Sequence, residues 1–198
     1  PQQSGHIAAV GYQLYCQLLE EATARLKHEP IPNRSHAHVG LQVGGQFPRD
    51  YIASDKHRME AYRRVGQADD LDAVDAARRD MTQAYGEPPD AAERLFQLAE
   101  IRLALTRLGV QSLLLEEQDL VFTTPDPAAL DKRLVDAPGS VRLVDEPTKD
   151  RPGTIYYRPP ANYLDPPSTL LAVLRKLLVR PMRNRPEASA SAAESAST

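Results

Sequence analysis

The chain has no tryptophan, one cysteine, and no initiating methionine. One cysteine can build neither a disulfide framework nor a thiolate zinc site. Cys16 therefore reads as a small core or interface residue in a reducing compartment. No apolar run approaches the ~20 residues that span a bilayer, so no membrane partner is expected and the cytoplasm is the default location. The net charge is only -3 over 198 residues, which gives no global pull toward nucleic acid or anionic lipid. A Gly-x-x-x-x-Gly-Lys-Ser/Thr phosphate loop and a dinucleotide fingerprint are both missing. Gly40, Gly44 and Gly45 lead into Phe47-Pro48, not into a helix N-terminus that could hold phosphate. The chain is expected to hold no cofactor and no catalytic residue of its own.

What is present is a well-punctuated alternation of helices and strands. The hydrophobic fraction of 41% suffices for a packed core, and 17 prolines fall between the periodic segments. Ile7, Val10, Leu14, Leu18, Ala22 and Leu26 step by three and four, which predicts a helix from Gly5 to His28, stopped by Pro30 and Pro32. Ala37, Val39, Leu41 and Val43 then alternate with His36, His38, Gly40 and Gln42, a half-buried strand. Ser54 or Asp55 caps a helix to Val65 with Met59, Tyr62 and Val65 inward. Asp69-Asp70 starts the next, with Leu71, Val74, Arg78, Met81 and Tyr85 at helical spacing and Gly86 as its stop. Pro88-Pro89-Asp90 opens a third, whose stripe is Ala91, Leu95, Leu98, Ile101, Leu105 and Leu108 up to Gly109.

After Gly109 the period shortens. Residues 111–116 and 120–124 predict a hairpin, and Asp126-Pro127 starts a short helix to Val135. Two more strands follow at 141–145 and 154–158. Ser168 is read as the cap of a final helix carrying Leu170, Leu171, Leu174, Leu177 and Leu178. Beyond Pro181 the composition predicts disorder. The fold class is α+β: a long N-terminal helix and linker strand, then a helical subdomain packed with a small, mostly antiparallel sheet and a C-terminal helix.

The chemistry-bearing residues are few. His36 and His38 share one face of their strand, a geometry open to metal, though a solvated polar row fits the pattern better because no further ligand has a recognisable spacing. Ser4-Gly5-His6 is no nucleophile elbow and reads as a turn. Arg58, Arg63 and Arg64 read as a solvated face. Arg175, Lys176, Arg180, Arg183 and Arg185 form a basic cluster able to meet phosphate or an acidic surface. Asp69, Asp70, Asp72, Asp75 and Asp80 place acid on the outer face of one helix, suited to solubility or to docking on a basic partner.

Several blocks together resemble one family. Gln3-Ser4-Gly5-His6-Ile7 with Val10-Gly11 and Leu14-Tyr15 is similar to the end of the translocation motif of the bacterial transcription-repair coupling factors. Phe47-Pro48-Arg49-Asp50-Tyr51-Ile52, then Arg58 and Tyr62-Arg63-Arg64, resembles the start of that family's C-terminal domain. Tyr85-Gly86-Glu87-Pro88-Pro89, Leu95, Ala99, Arg102 and Leu108-Gly109 continue it in order. The resemblance implies a C-terminal fragment: residues 1–30 end the translocation motif and the second motor lobe, 31–52 are a linker with a strand, 53–180 are the regulatory domain, and 181–198 are a disordered tail.

The resemblance further implies an ATP-dependent translocase on double-stranded DNA that removes stalled RNA polymerase at lesions and recruits nucleotide excision repair. ATP and Mg²⁺ belong to the parent protein and not to this fragment. Gln3 is then a residue coupling hydrolysis to movement, with Ser4, Gly5 and His6 shaping the turn beside it. The C-terminal domain is implied to fold onto the protein's own excinuclease-B-like module and mask the surface that binds excinuclease A. Asp80 matches one acidic position of that masking contact, and Gln83 stands where a second acid is expected. The alternative from another class is a stand-alone α+β protein-interaction module with no motor.

Overall fold

The computed structural model describes residues 36–41 and 43–183. The helix predicted at 5–28 and the residues Gln3, Ser4, Gly5 and His6 lie outside them.

Three helices make up the first half, and two begin where the sequence places capping groups. Ser54 accepts from the His57 N–H at 3.3 Å to start α1, Asp55–Gly66. Asp70 accepts from the Ala73 N–H at 2.7 Å to start α2, Leu71–Tyr85. The long α3 runs over Asp90–Arg107 behind Pro89. The side-chain oxygens at the first two starts satisfy N–H groups that a helix cannot pair within itself. Gly86 ends α2 at φ 87, a left-handed backbone in which any Cβ is strained.

The second half builds the sheet: β2 Ser112–Glu116, β3 Asp119–Thr124, the helix α4 Pro127–Leu134, then β4 Ser140–Asp145 and β5 Gly153–Arg158. β1, His38–Gly40, comes before all the helices described above yet pairs in parallel with β2. The order is β1-β2-β3-β5-β4, with antiparallel pairing everywhere except at β1. A 3-10 turn at Ala161–Tyr163 leads to α5, Pro167–Leu174, then a π-helical stretch Arg175–Val179 and a last turn, α6, Arg180–Arg183.

Two cores share α3. Toward the sheet, Ile101, Ala104 and Leu105 meet Leu113, Leu120, Phe122, Ile155 and Tyr157, closed over by Leu130 and Leu134 of α4 and by Leu170, Leu171, Leu174 and Leu178. Toward the other helices, Leu95, Phe96, Ala99 and Leu103 meet Ala61, Tyr62 and Val65 of α1 and Val74, Ala77 and Met81 of α2. The single stripe predicted for this helix is therefore incomplete, because α3 is apolar on two sides and buries both.

Four expectations are corrected. Residues 43–52 are packed chain, not linker: Phe47 and Ile52 are buried in the helical core, and the Phe47 ring lies 5.0 Å from Tyr62 and 5.9 Å from Phe96. The Phe47 N–H donates to the Tyr62 hydroxyl at 2.8 Å, so the polar tip of that buried aromatic is satisfied. Among the described residues of the strand predicted over 37–43, only His38–Gly40 are regular. Ser168 caps nothing, because Pro167 already occupies the first helical turn and Pro166 is the extended residue before it. Helix continues past Pro181 to Arg183, held by ion pairs described below.

Candidate functional site

The sequence offers two sets of charges, and the fold treats them differently. Glu100, halfway along α3, is fully buried. Its carboxylate accepts from Arg175 Nε at 2.6 Å, Arg183 Nη2 at 3.1 Å and Arg78 Nη2 at 3.2 Å. Arg78 also donates to Glu93 at 3.1 Å and lies over the Phe96 ring, 5.0 Å from its centroid. Arg183 reaches Asp75 at 2.6 Å. That hydrogen bond, with the charges of Arg183, Arg78 and Arg79, holds the Asp75 carboxyl below its ordinary range despite partial burial. A buried carboxylate persists only when its lone pairs are filled by such donors.

This network overturns two sequence expectations. Arg175 and Arg183 of the basic cluster point inward onto acids rather than outward, and Arg185 lies outside the described residues. Asp75 is no outer-face acid, and Asp70 is engaged as a cap. A third correction concerns Arg58, expected on a solvated face but only 6% exposed. It donates to the Ile52 carbonyl at 3.0 Å and pairs with Asp55, joining the approach chain to α1. Sequence reading missed Glu100, though a signal existed: eight of the eleven residues from Leu95 to Leu105 are apolar, and Glu100 is the one acid of that stretch, so a helix apolar on two sides buries it as well.

The second set lies on the outer face of α2. Asp80 and Gln83 are one helical turn apart and both exposed, so the fold brings the two proposed masking residues onto one surface. The Asp80 carboxylate pairs with Arg64 of α1, and the two side chains are 53% and 47% exposed. No sequence spacing announces this pair, whose members are 16 residues apart on different helices. At the end of the face the Tyr51 hydroxyl donates to the Gly86 carbonyl at 3.0 Å, and its ring meets Tyr85 edge-on at 5.9 Å. Burial, with the nearby charge of Glu87, raises the Tyr51 phenol, so it stays a proton donor bracing the turn.

His38 is exposed and His36 half-buried. Among the described residues no group of three or more His, Cys, Asp or Glu side chains could hold a metal ion. No helix among them is long and apolar enough to cross a membrane.

Fold and site together define an α+β domain, tied internally by buried ion pairs, that presents one polar helical face. Residues 41–134 match the family model of the TRCF domain. The transcription-repair-coupling factor of Myxococcus xanthus is 33% identical over 129 residues, 65% of this chain and 11% of that protein. That of Mycobacterium bovis is 34% identical over 146 residues, 64% of this chain and 12% of that protein. A crystal structure of the C-terminal domain of transcription-repair coupling factor superposes with a TM-score of 0.54 at 16% identity, covering 72% of this chain and 94% of that one; that likeness concerns the fold. Residues 41–134 thus match a TRCF domain, and over nearly two thirds of its length the chain is similar to transcription-repair-coupling factors. It spans about a tenth of the length of the curated relatives it matches.

Proposed function

We propose that this chain is the regulatory C-terminal part of an ATP-dependent DNA translocase that removes stalled RNA polymerase at lesions and recruits excision repair. In this reading it restrains recruitment by covering the surface of the protein's own excinuclease-B-like module that excinuclease A binds. The observation that carries the reading is the half-exposed carboxylate of Asp80 on the outer face of α2, beside Gln83 and the Gly86 turn, inside the segment matching the TRCF domain.

The physical logic is that of a separable contact. A polar face held by one exposed carboxylate docks reversibly, because water competes for every group in it. A second ligand then opens the masked state if it binds the open form better by more than the modest closing free energy. Engagement of polymerase is the event proposed to do so. Gln83 supplies hydrogen bonds without charge, so masking here leans on Asp80. Gln3, Ser4, Gly5 and His6 belong, on the same reading, to the translocation motif, with ATP and Mg²⁺ bound elsewhere in the parent protein.

The test is charge reversal in the full-length protein. Asp80→Lys is expected to raise affinity for purified excinuclease A roughly ten-fold, within the usual range of coupling between sites. Unchanged affinity in a variant that keeps its circular dichroism spectrum overturns the masking role.

A further inference from the structure

We infer that Arg64 is a built-in counter-ion of the docking face: it competes with the basic partner surface for Asp80 and so sets how tightly the domain masks. The inference rests on the masking role proposed for Asp80 and adds a residue that nothing in that reading requires.

Arg64 Nη2 donates to Asp80 Oδ2 across two helices. Both side chains stand about half in water, at 47% and 53% exposure, so the pair lies on the very surface a partner must touch. Each member is the other's only ion-pair partner among the described residues. The neighbouring Arg63 is not available to substitute, since it pairs with Glu60 and donates to the Gln67 side chain at 3.2 Å. From Arg79 to Gly86, Asp80 is the sole acid, and Arg79 beside it is exposed.

These facts decide the direction of the effect. A basic group approaching Asp80 finds Oδ2 already hydrogen-bonded and the Arg64 guanidinium close by. It must displace Arg64, or share the carboxylate with it against like-charge repulsion. Either route weakens docking relative to a bare carboxylate. A half-exposed pair contributes little, so the effect is small: about a two- to five-fold change in equilibrium. Salt screens the internal pair and the docking contact together. The wild-type face is therefore less salt-sensitive than the same face without Arg64.

The experiment uses the full-length protein carrying Arg64→Ala, Asp80→Asn or both, with the dissociation constant for purified excinuclease A measured at low and high salt. Arg64→Ala is expected to tighten masking, weakening excinuclease A binding about two- to five-fold at low salt, with the difference shrinking at high salt. Asp80→Asn is expected to strengthen excinuclease A binding, and adding Arg64→Ala to it should change nothing further. If Arg64→Ala strengthens that binding as Asp80→Asn does, Arg64 is a docking contact and the inference is wrong. If Arg64→Ala has no effect while Asp80→Asn does, the inference is also wrong but masking stands. No effect from Asp80→Asn removes the masking reading itself, and the counter-ion role with it. Both residues are exposed, and thermal melts of the three variants should superimpose on the wild type.

Discussion

Glu100 and Asp80 are both acids on adjoining helices, and both are held by arginine, yet they serve opposite ends. Glu100 has lost all contact with water and is filled by three guanidinium groups that tie α2, α3 and the C-terminal helix together. Asp80 keeps half its surface in water and has one partner. The difference is solvent. In the interior, removing one partner leaves the others uncompensated, so the group is structurally obligatory. At the surface, water replaces whatever is removed, so the same ion pair is cheap to break and free to take another partner.

Three measurements can break or sharpen this contrast. The largest effect belongs to Glu100→Ala, which takes from Arg175 its carboxylate partner and from Arg78 and Arg183 one of theirs. It is expected to cost about 3 kcal/mol in denaturant unfolding, at the low end for a buried pair because those arginines retain some solvent. A loss near zero would show that Glu100 is not the keystone of the network.

A middle effect comes from acidification. The Asp75 carboxyl is held below its ordinary value by Arg183, so its contribution to stability is complete above the unfolded-state value of 3.8 and disappears as pH falls through the lower folded value. The wild type should lose stability on titration below about pH 4. Asp75→Asn should be less stable at neutral pH and show a shallower acid limb. An unaltered limb would deny that the Arg183 contact matters.

The smallest effect is at Asp80→Asn, expected within about 0.5 kcal/mol of the wild type in the same unfolding assay. A loss comparable to that of Glu100→Ala would abolish the distinction between the two regions.

The local grammar of the chain reads well from its residues. Ser54, Asp70 and Asp126 sit where helices begin, and the Asp126 carboxylate accepts from the Ala129 N–H at 3.2 Å. Gly86 and Gly109 close helices at positive φ, and the hairpin of β2 and β3 follows from two short apolar runs around Glu117-Gln118. These features depend on neighbours within a few residues, which a linear pattern displays. What stayed hidden depends on partners far along the chain. Period-two alternation marks residues 37–43 as a strand but says nothing of its parallel partner more than seventy residues later. Glu100 is buried by Arg175 and Arg183, and Arg58 by the turn back from Ile52. Asp80 could be placed on an outer face from the sequence and Gln83 is singled out by the family resemblance, while Arg64 arrives there only through the packing of α1 against α2.

β1 has a mechanical consequence. Whatever precedes His36 is joined to this domain through a three-residue strand paired with β2, together with the Ala37 N–H donated to Thr106 Oγ1 at 3.0 Å and the His38 N–H donated to the Gln111 carbonyl at 2.8 Å. Tension from that side loads the edge of the sheet and the end of α3 first. It reaches the face carrying Asp80 only after passing through the helical core. The β1 attachment and the face proposed for docking therefore lie on different layers, so a pull on one does not begin at the other.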